Sequence, residues 1–136
     1  MKFSLLNNTA EIPKLTEEIE LFLEQHQVPP AIAMSTSLCL DELLTNTISY
    51  GYESSRDAHQ IQVNVDIVDN TMTIEISDDA KPFDPTKETP PPDLDADLED
   101  RRIGGLGVHL VKHYSDEIQY AHQDGKNHLK LIKHLA

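Results

Sequence analysis

A chain of 136 residues with a net charge of −13 has room for one domain built on a single core. That charge excludes direct binding of nucleic acid, whose phosphates demand a basic face, and points to solubility or to a protein partner with basic patches. No run approaches the ~20 apolar residues of a membrane span, Met1–Leu6 is too short for a signal peptide, and the single cysteine, Cys39, excludes an internal disulfide and suits a reducing cytoplasm.

Phe3 and Leu5, among polar neighbours, suggest a short first strand. Thr9 is the expected N-cap of a first helix, with Glu11 in its opening turn. Leu15, Ile19, Phe22 and Leu23 recur at helical spacing, and Pro29-Pro30 stops the run. A second helix is predicted from about Pro30 or Ala31 to Tyr50, closed by Gly51, with Leu40, Leu43, Leu44 and Thr47 on its buried side. Glu42 and Asn46 stand four apart on it, one turn above the other. An acid and an amide so placed are either a solvated surface pair or a carboxylate that handles a proton beside an amide oxygen that holds Mg²⁺.

The period then changes to two. Ile61, Val63, Val65 and Ile67 alternate with polar residues, and so do Met72, Ile74 and Ile76 after Asp69-Asn70. This predicts a hairpin with one buried and one wet face, so helices should cover one face only. Asp78-Asp79-Ala80-Lys81-Pro82-Phe83-Asp84-Pro85 ends it. A carboxylate on a tight turn past a strand end can accept a hydrogen bond from a purine amino group, although acidic turns are common in an acidic protein.

Residues Asp84 to Asp100 show no periodicity and hold seven acids and one lysine. So long a stretch without pattern reads as a lid or a solvated spacer. Arg101-Arg102-Ile103-Gly104-Gly105-Leu106-Gly107 follows and opens a predicted helix from about Leu106 to Tyr114. Glycines there let the backbone approach a bound group. Free N–H groups at the helix start suit phosphate, and the arginines add pairing charge. The two readings are a polyphosphate cradle and a glycine-softened loop. His109 and His113 have metal-ligand spacing but no third ligand nearby. Asp116 to His122 and Asn127 to His134 complete a second hairpin around Asp124-Gly125, with Ile118, Tyr120, Leu129 and Leu131 on its buried face.

Three motifs now stand in order: Glu42-x-x-x-Asn46, Asp78-x-Ala80-x-Pro82-Phe83-Asp84-Pro85 and Gly104-Gly105-x-Gly107. Together they resemble the histidine-kinase-type ATPase superfamily with the Bergerat nucleotide fold. Within it the chain looks like the stand-alone anti-sigma-factor serine kinases of bacteria. The segment Leu40–Tyr52 is similar to their first box throughout, and Pro82-Phe83-Asp84-Pro85 and Asp124-Gly125-Lys126-Asn127 are marks of that branch. The resemblance covers nearly the whole chain.

It implies that Asn46 holds Mg²⁺, that Glu42 is the general base, that Asp78 accepts from the adenine amino group, and that Gly104, Gly105 and Gly107 wrap the phosphates. Arg102 would touch a phosphate, and the implied nucleotide-binding set includes Ala80, Phe83 and Leu106. Two departures stand out. The second box usually has glycine at Ala80, whose methyl is expected to crowd adenine or restrict the turn. The wider superfamily commonly has Gly-Thr where this chain reads Gly125-Lys126-Asn127.

The predicted fold is a two-layer α/β sandwich, with a mixed, mostly antiparallel sheet and helices on one face. The implied function is an ATP- and Mg²⁺-dependent serine/threonine protein kinase. It would hold a sigma factor inactive and phosphorylate a small antagonist protein, and the same resemblance suggests a homodimer. The alternatives are a nucleotide-gated binding module without useful kinase activity and an acidic interaction protein with a decayed site.

Overall fold

The computed structural model describes residues 1–52, 57–82 and 111–135. Strand β1 (Lys2–Leu6) leads through a 3-10 turn, Thr9–Glu11, into helix α1 (Ile12–Gln25). Helix α2 (Pro30–Asn46) runs on into a π-helical turn, Thr47–Gly51. Strands β2 (Gln60–Val68) and β3 (Thr71–Asp78) form one hairpin, and β4 (Glu117–Gln123) and β5 (Lys126–His134) the other. The sheet order is β1-β2-β3-β5-β4. Every pairing between described strands is antiparallel, so the parallel component expected of a mixed sheet is not found among them.

Register explains the core. Phe3, Val63, Ile76 and Leu129 lie opposite one another across four strands, and Val65, Ile74 and Leu131 make the next row. All are buried, and they share one cluster with Ile12, Leu15, Ile19 and Leu23 of α1 and Cys39, Leu40, Leu43 and Leu44 of α2. Side chains alternate between faces at period two. The intervening Gln62, Glu75 and Lys130 therefore face away from the helices. Both hairpins close on left-handed pairs, Asp69 and Asn70 at φ 50° and 60°, and Asp124 and Gly125 at φ 56° and 76°. That geometry matches the twist of the paired strands.

The helix ends differ from expectation. Asn8, not Thr9, is the cap: its side chain accepts from Ala10 N at 3.0 Å. The 3-10 turn before α1 moves the first exposed N–H groups back by one residue, and Asn8 is in reach of them. Helix α1 also closes before the prolines. Gln27 adopts φ 57°, Val28 N donates to Leu23 O at 3.0 Å, and Gln27 N donates to Glu24 O at 3.0 Å. This is the two-bond Schellman closure, made here without glycine.

Helix α2 ends at Asn46 rather than Tyr50. In the wider turn that follows, Tyr52 N donates to Thr47 O at 3.2 Å, an i to i+5 spacing. Thr47 is only half-buried, and Ile48 takes the core place expected of it.

Residues 111–114 are helical, and Val111 is fully buried. The Tyr114 hydroxyl is hydrogen-bonded to Thr36 Oγ1 of α2. Lys133 of β5 lies over the Tyr114 ring and donates to its carbonyl at 3.0 Å. Burial pushes the Tyr114 phenol up to about 12, so it stays neutral.

Candidate nucleotide site

Glu42 and Asn46 occupy the last two turns of α2, and both are half-buried. Asn46 stands where the α-helical ladder gives way to the π-helical turn. Single π turns recur at functional positions because they re-aim side chains within a helix. The amide nitrogen of Asn46 is buried and has no hydrogen-bond partner among the described residues. Such a group costs on the order of 1–3 kcal/mol if left unsatisfied. One turn earlier, burial and then the Glu42 charge push the Cys39 thiol up to about 11, which keeps it an inert core group.

Asp78 ends β3 on the inward parity, two residues past Ile76. An acid stands where the alternation would place the next apolar residue, and it is only 7% exposed. Its Oδ1 accepts from Ala80 N at 3.1 Å and from Asn127 Nδ2 at 2.9 Å. Among the described residues no hydrogen bond reaches Oδ2. Burial raises the carboxyl above its ordinary range, while the two donors pull it back down.

Sequence reasoning missed Asn127 as a site residue. The signal was available: Asn127, Leu129 and Leu131 alternate inward on β5, so a polar residue sits in an apolar row directly across from Asp78. Its oxygen accepts from the Tyr120 hydroxyl of β4. Its nitrogen also lies 3.2 Å from Ala80 O and 2.9 Å from Lys81 O.

The turn after β3 is joined to the π-helical turn that follows α2. Lys81 N donates to Gly51 O at 3.1 Å, and a Cβ built on Gly51 would lie 2.8 Å from the Ala80 methyl. The Ala80 methyl is buried and packs beside Gly51. Beside it, the buried Tyr52 donates to Asp79 Oδ1 at 2.7 Å, and His59 Nδ1 lies 3.0 Å from Asp79 Oδ2. The Tyr52 and His59 rings stack at 4.8 Å. The Tyr52 hydrogen bond, then that of His59, holds the Asp79 carboxyl below its usual range. The same carboxylate, with burial as the larger cause, raises the Tyr52 phenol.

The structure thus brings together the π-helical turn after α2, the end of β3 and the start of β5. Phe83, Arg102, Gly104, Gly105, Leu106, Gly107 and the acidic segment 84–100 lie outside the described residues, as does His109. His113 is exposed, and the described residues hold no cluster of three or more His, Cys, Asp or Glu that would bind a metal. Among them no helix is long and apolar enough to cross a membrane.

Known proteins resemble this chain in sequence and in fold. A family profile described as histidine kinase-like ATPase domain matches residues 5–133. The serine/threonine-protein kinase BtrW of Bordetella bronchiseptica is 31% identical over 105 residues, 77% of this chain and 72% of BtrW. The serine-protein kinase RsbW of Listeria monocytogenes is 28% identical over 91 residues, 65% of this chain and 57% of RsbW, so the chain spans little more than half of that relative. The crystal structure of the SiaB-SiaC complex from Pseudomonas aeruginosa matches in fold, with a TM-score of 0.70 at 16% identity, covering 97% of this chain and 88% of that one.

Proposed function

The chain belongs to the histidine kinase-like ATPase domain family, and from that membership we propose that it is an ATP- and Mg²⁺-dependent serine/threonine protein kinase that also acts as an anti-sigma factor. It would bind a sigma factor and phosphorylate a serine on a small antagonist protein in the cytoplasm, with two copies of the chain associating as a homodimer. The names of BtrW and RsbW support the kinase reading. The net charge of −13 suits protein partners that present basic patches.

The observation that carries the reading is Asp78. A buried carboxylate has one oxygen held by two protein donors, and among the described residues no donor reaches the other. Such a group can accept one hydrogen bond from an exocyclic amino group, as adenine offers. Asn46 fits a metal in the same way, because its amide nitrogen has no hydrogen-bond partner among the described residues and so does not fix which way the oxygen turns. Asn46 would hold Mg²⁺, and Mg²⁺ when bound supplies charge neutralisation at the phosphates. Glu42, one turn away, would take the proton of the attacking serine hydroxyl. Gly104, Gly105, Gly107 and Arg102 would hold the phosphates. Phosphoryl transfer rests mainly on positioning and electrostatics, and these residues divide that work between them.

Calorimetry with ATP and Mg²⁺, followed by transfer of labelled phosphate to a candidate antagonist, tests the proposal. Binding and transfer are expected. Absence of binding at millimolar nucleotide would sink it, while binding without transfer to any genuine partner would leave the nucleotide-gated module.

A further inference from the structure

Asn127 makes more contacts than a strand residue needs. Its side chain is buried, 7% exposed, and stands directly across from Asp78 in the β3–β5 ladder. Three acceptors converge on its nitrogen: Asp78 Oδ1 at 2.9 Å, Lys81 O at 2.9 Å and Ala80 O at 3.2 Å. An amide nitrogen has two hydrogens, so one is shared. The convergence also dictates which end of the amide faces the turn. A flipped side chain would set its oxygen against one carboxylate and two carbonyl oxygens, all acceptors. The Tyr120 hydroxyl, donating to Asn127 Oδ1 from the neighbouring strand, holds the correct end in place.

The consequence falls on Asp78. Asn127 and Ala80 N both address Oδ1, so two bonds restrain the carboxylate through one oxygen, and among the described residues Oδ2 is the oxygen left for a ligand. The same amide nitrogen holds the Ala80–Lys81 turn that follows Asp78. Resting on the ATP reading above, we infer that Asn127, oriented by Tyr120, is a positioning residue that fixes which oxygen of Asp78 meets the base and so sets selectivity for a 6-aminopurine over a 6-oxopurine. A 6-oxopurine would place its carbonyl against Oδ2, acceptor facing acceptor. With the carboxylate so restrained, rotation to relieve that clash is opposed.

The test is titration with ATP and with inosine triphosphate, which carries oxygen in place of the 6-amino group, on the full chain and on Tyr120→Phe and Asn127→Ala. A site built to accept a specific hydrogen bond rejects the mismatched analogue, and the parent should prefer ATP by on the order of 100-fold. In both variants that ratio should fall at least several-fold while affinity for inosine triphosphate is kept, because the phosphate contacts are untouched. Tyr120→Phe removes one hydroxyl and is the milder change, so it decides the matter if Asn127→Ala does not fold. An unchanged ratio in Tyr120→Phe overturns the inference. So does an equal loss of affinity for both nucleotides, the mark of a merely structural role. A parent that binds neither nucleotide overturns the ATP reading itself, and this inference with it.

Discussion

Gly51 and Ala80 meet with no room between them: a Cβ on Gly51 would lie 2.8 Å from the Ala80 methyl. The two residues come from different motifs, one closing the turn after α2 and the other following β3. Neither side can give easily, since Lys81 N is bonded to Gly51 O and the Ala80 carbonyl to Asn127. Gly51→Ala should therefore destabilise the protein by about 1–3 kcal/mol, the usual result of overpacking. Ala80→Gly in the same chain should recover much of the loss, since the two residues touch and their effects should couple. Chemical denaturation of both single variants and the double variant measures this. A Gly51→Ala protein that unfolds at the parent midpoint would show that the contact is slack. In the wild-type background, Ala80→Gly should leave ATP affinity nearly unchanged, because its methyl lies against Gly51.

Glu42 and Asn46 should separate on substitution. Glu42→Ala is expected to keep ATP affinity and lose about 10²–10⁴-fold in turnover, since a general base acts in the transition state. Asn46→Ala should abolish the Mg²⁺ dependence of binding. It should cost little stability in the absence of nucleotide, because the buried amide nitrogen it removes has no hydrogen-bond partner among the described residues. Binding, turnover and melting on both variants decide the assignment. Parent-like turnover in Glu42→Ala would remove the base from the mechanism.

Asp78→Asn tests function against stability. The variant keeps an oxygen to accept from Ala80 N and Asn127, and it removes a charge that burial penalises. A carboxyl raised in the folded state favours folding more when protonated, so its contribution falls as pH climbs through the folded value. The variant should thus equal or exceed the parent in stability at neutral pH, and lose that advantage in acid. ATP binding should vanish, because an amide nitrogen would then face the adenine amino group, donor against donor. Thermal melts between pH 4 and pH 8 with about 1 mM ATP and without it give both readings. Tight ATP binding by Asp78→Asn would exclude this residue as the base acceptor.

Asp79 should behave with the opposite sign. Hydrogen bonds from Tyr52 and His59 hold its carboxyl below the usual range. Its contribution to stability is therefore complete above the unfolded value, about 3.9, and is lost as pH falls through the lower folded value. Asp79→Asn should narrow the stability gap between pH 6 and pH 3, and Tyr52→Phe should do so partly. The group is well exposed, 43% by side chain, so the effect should be modest. Acid titrations that superimpose for parent and variant would show that the Tyr52–His59–Asp79 cluster carries no linkage to pH.

The sequence made some of this legible because some signals are local. Alternation of Ile61, Val63 and Val65, and of Met72, Ile74 and Ile76, reports a strand face directly, and Asp69-Asn70 and Asp124-Gly125 announce their turns. The three motifs, in order and at suitable separations, are enough to mark the family. The strand order was not legible, because nothing local says that β5 inserts between β3 and β4. Closure of α1 through Gln27 was hidden, since a non-glycine residue there carries no compositional mark. The π-helical turn at Thr47 was hidden for a related reason: one extra residue in a turn leaves the residue types unchanged. Asn127 was overlooked because its importance lies in a partner across the sheet.

That partner lies far away along the chain. Asp78 and Asn127 are separated by 49 positions, and the strand that delivers Asn127 is the last of the five to be synthesised. Closing so long a loop costs entropy before the contact is made, which slows pairing of this kind relative to local contacts. A nascent chain that has made β1 to β4 already holds both acids of the Asp78-Asp79 pair, yet it has no amide to lock the first of them. On the adenine reading the base end of the site would be assembled only when translation reaches β5, and a stalled or shortened chain would carry the motifs without Asn127 across from Asp78.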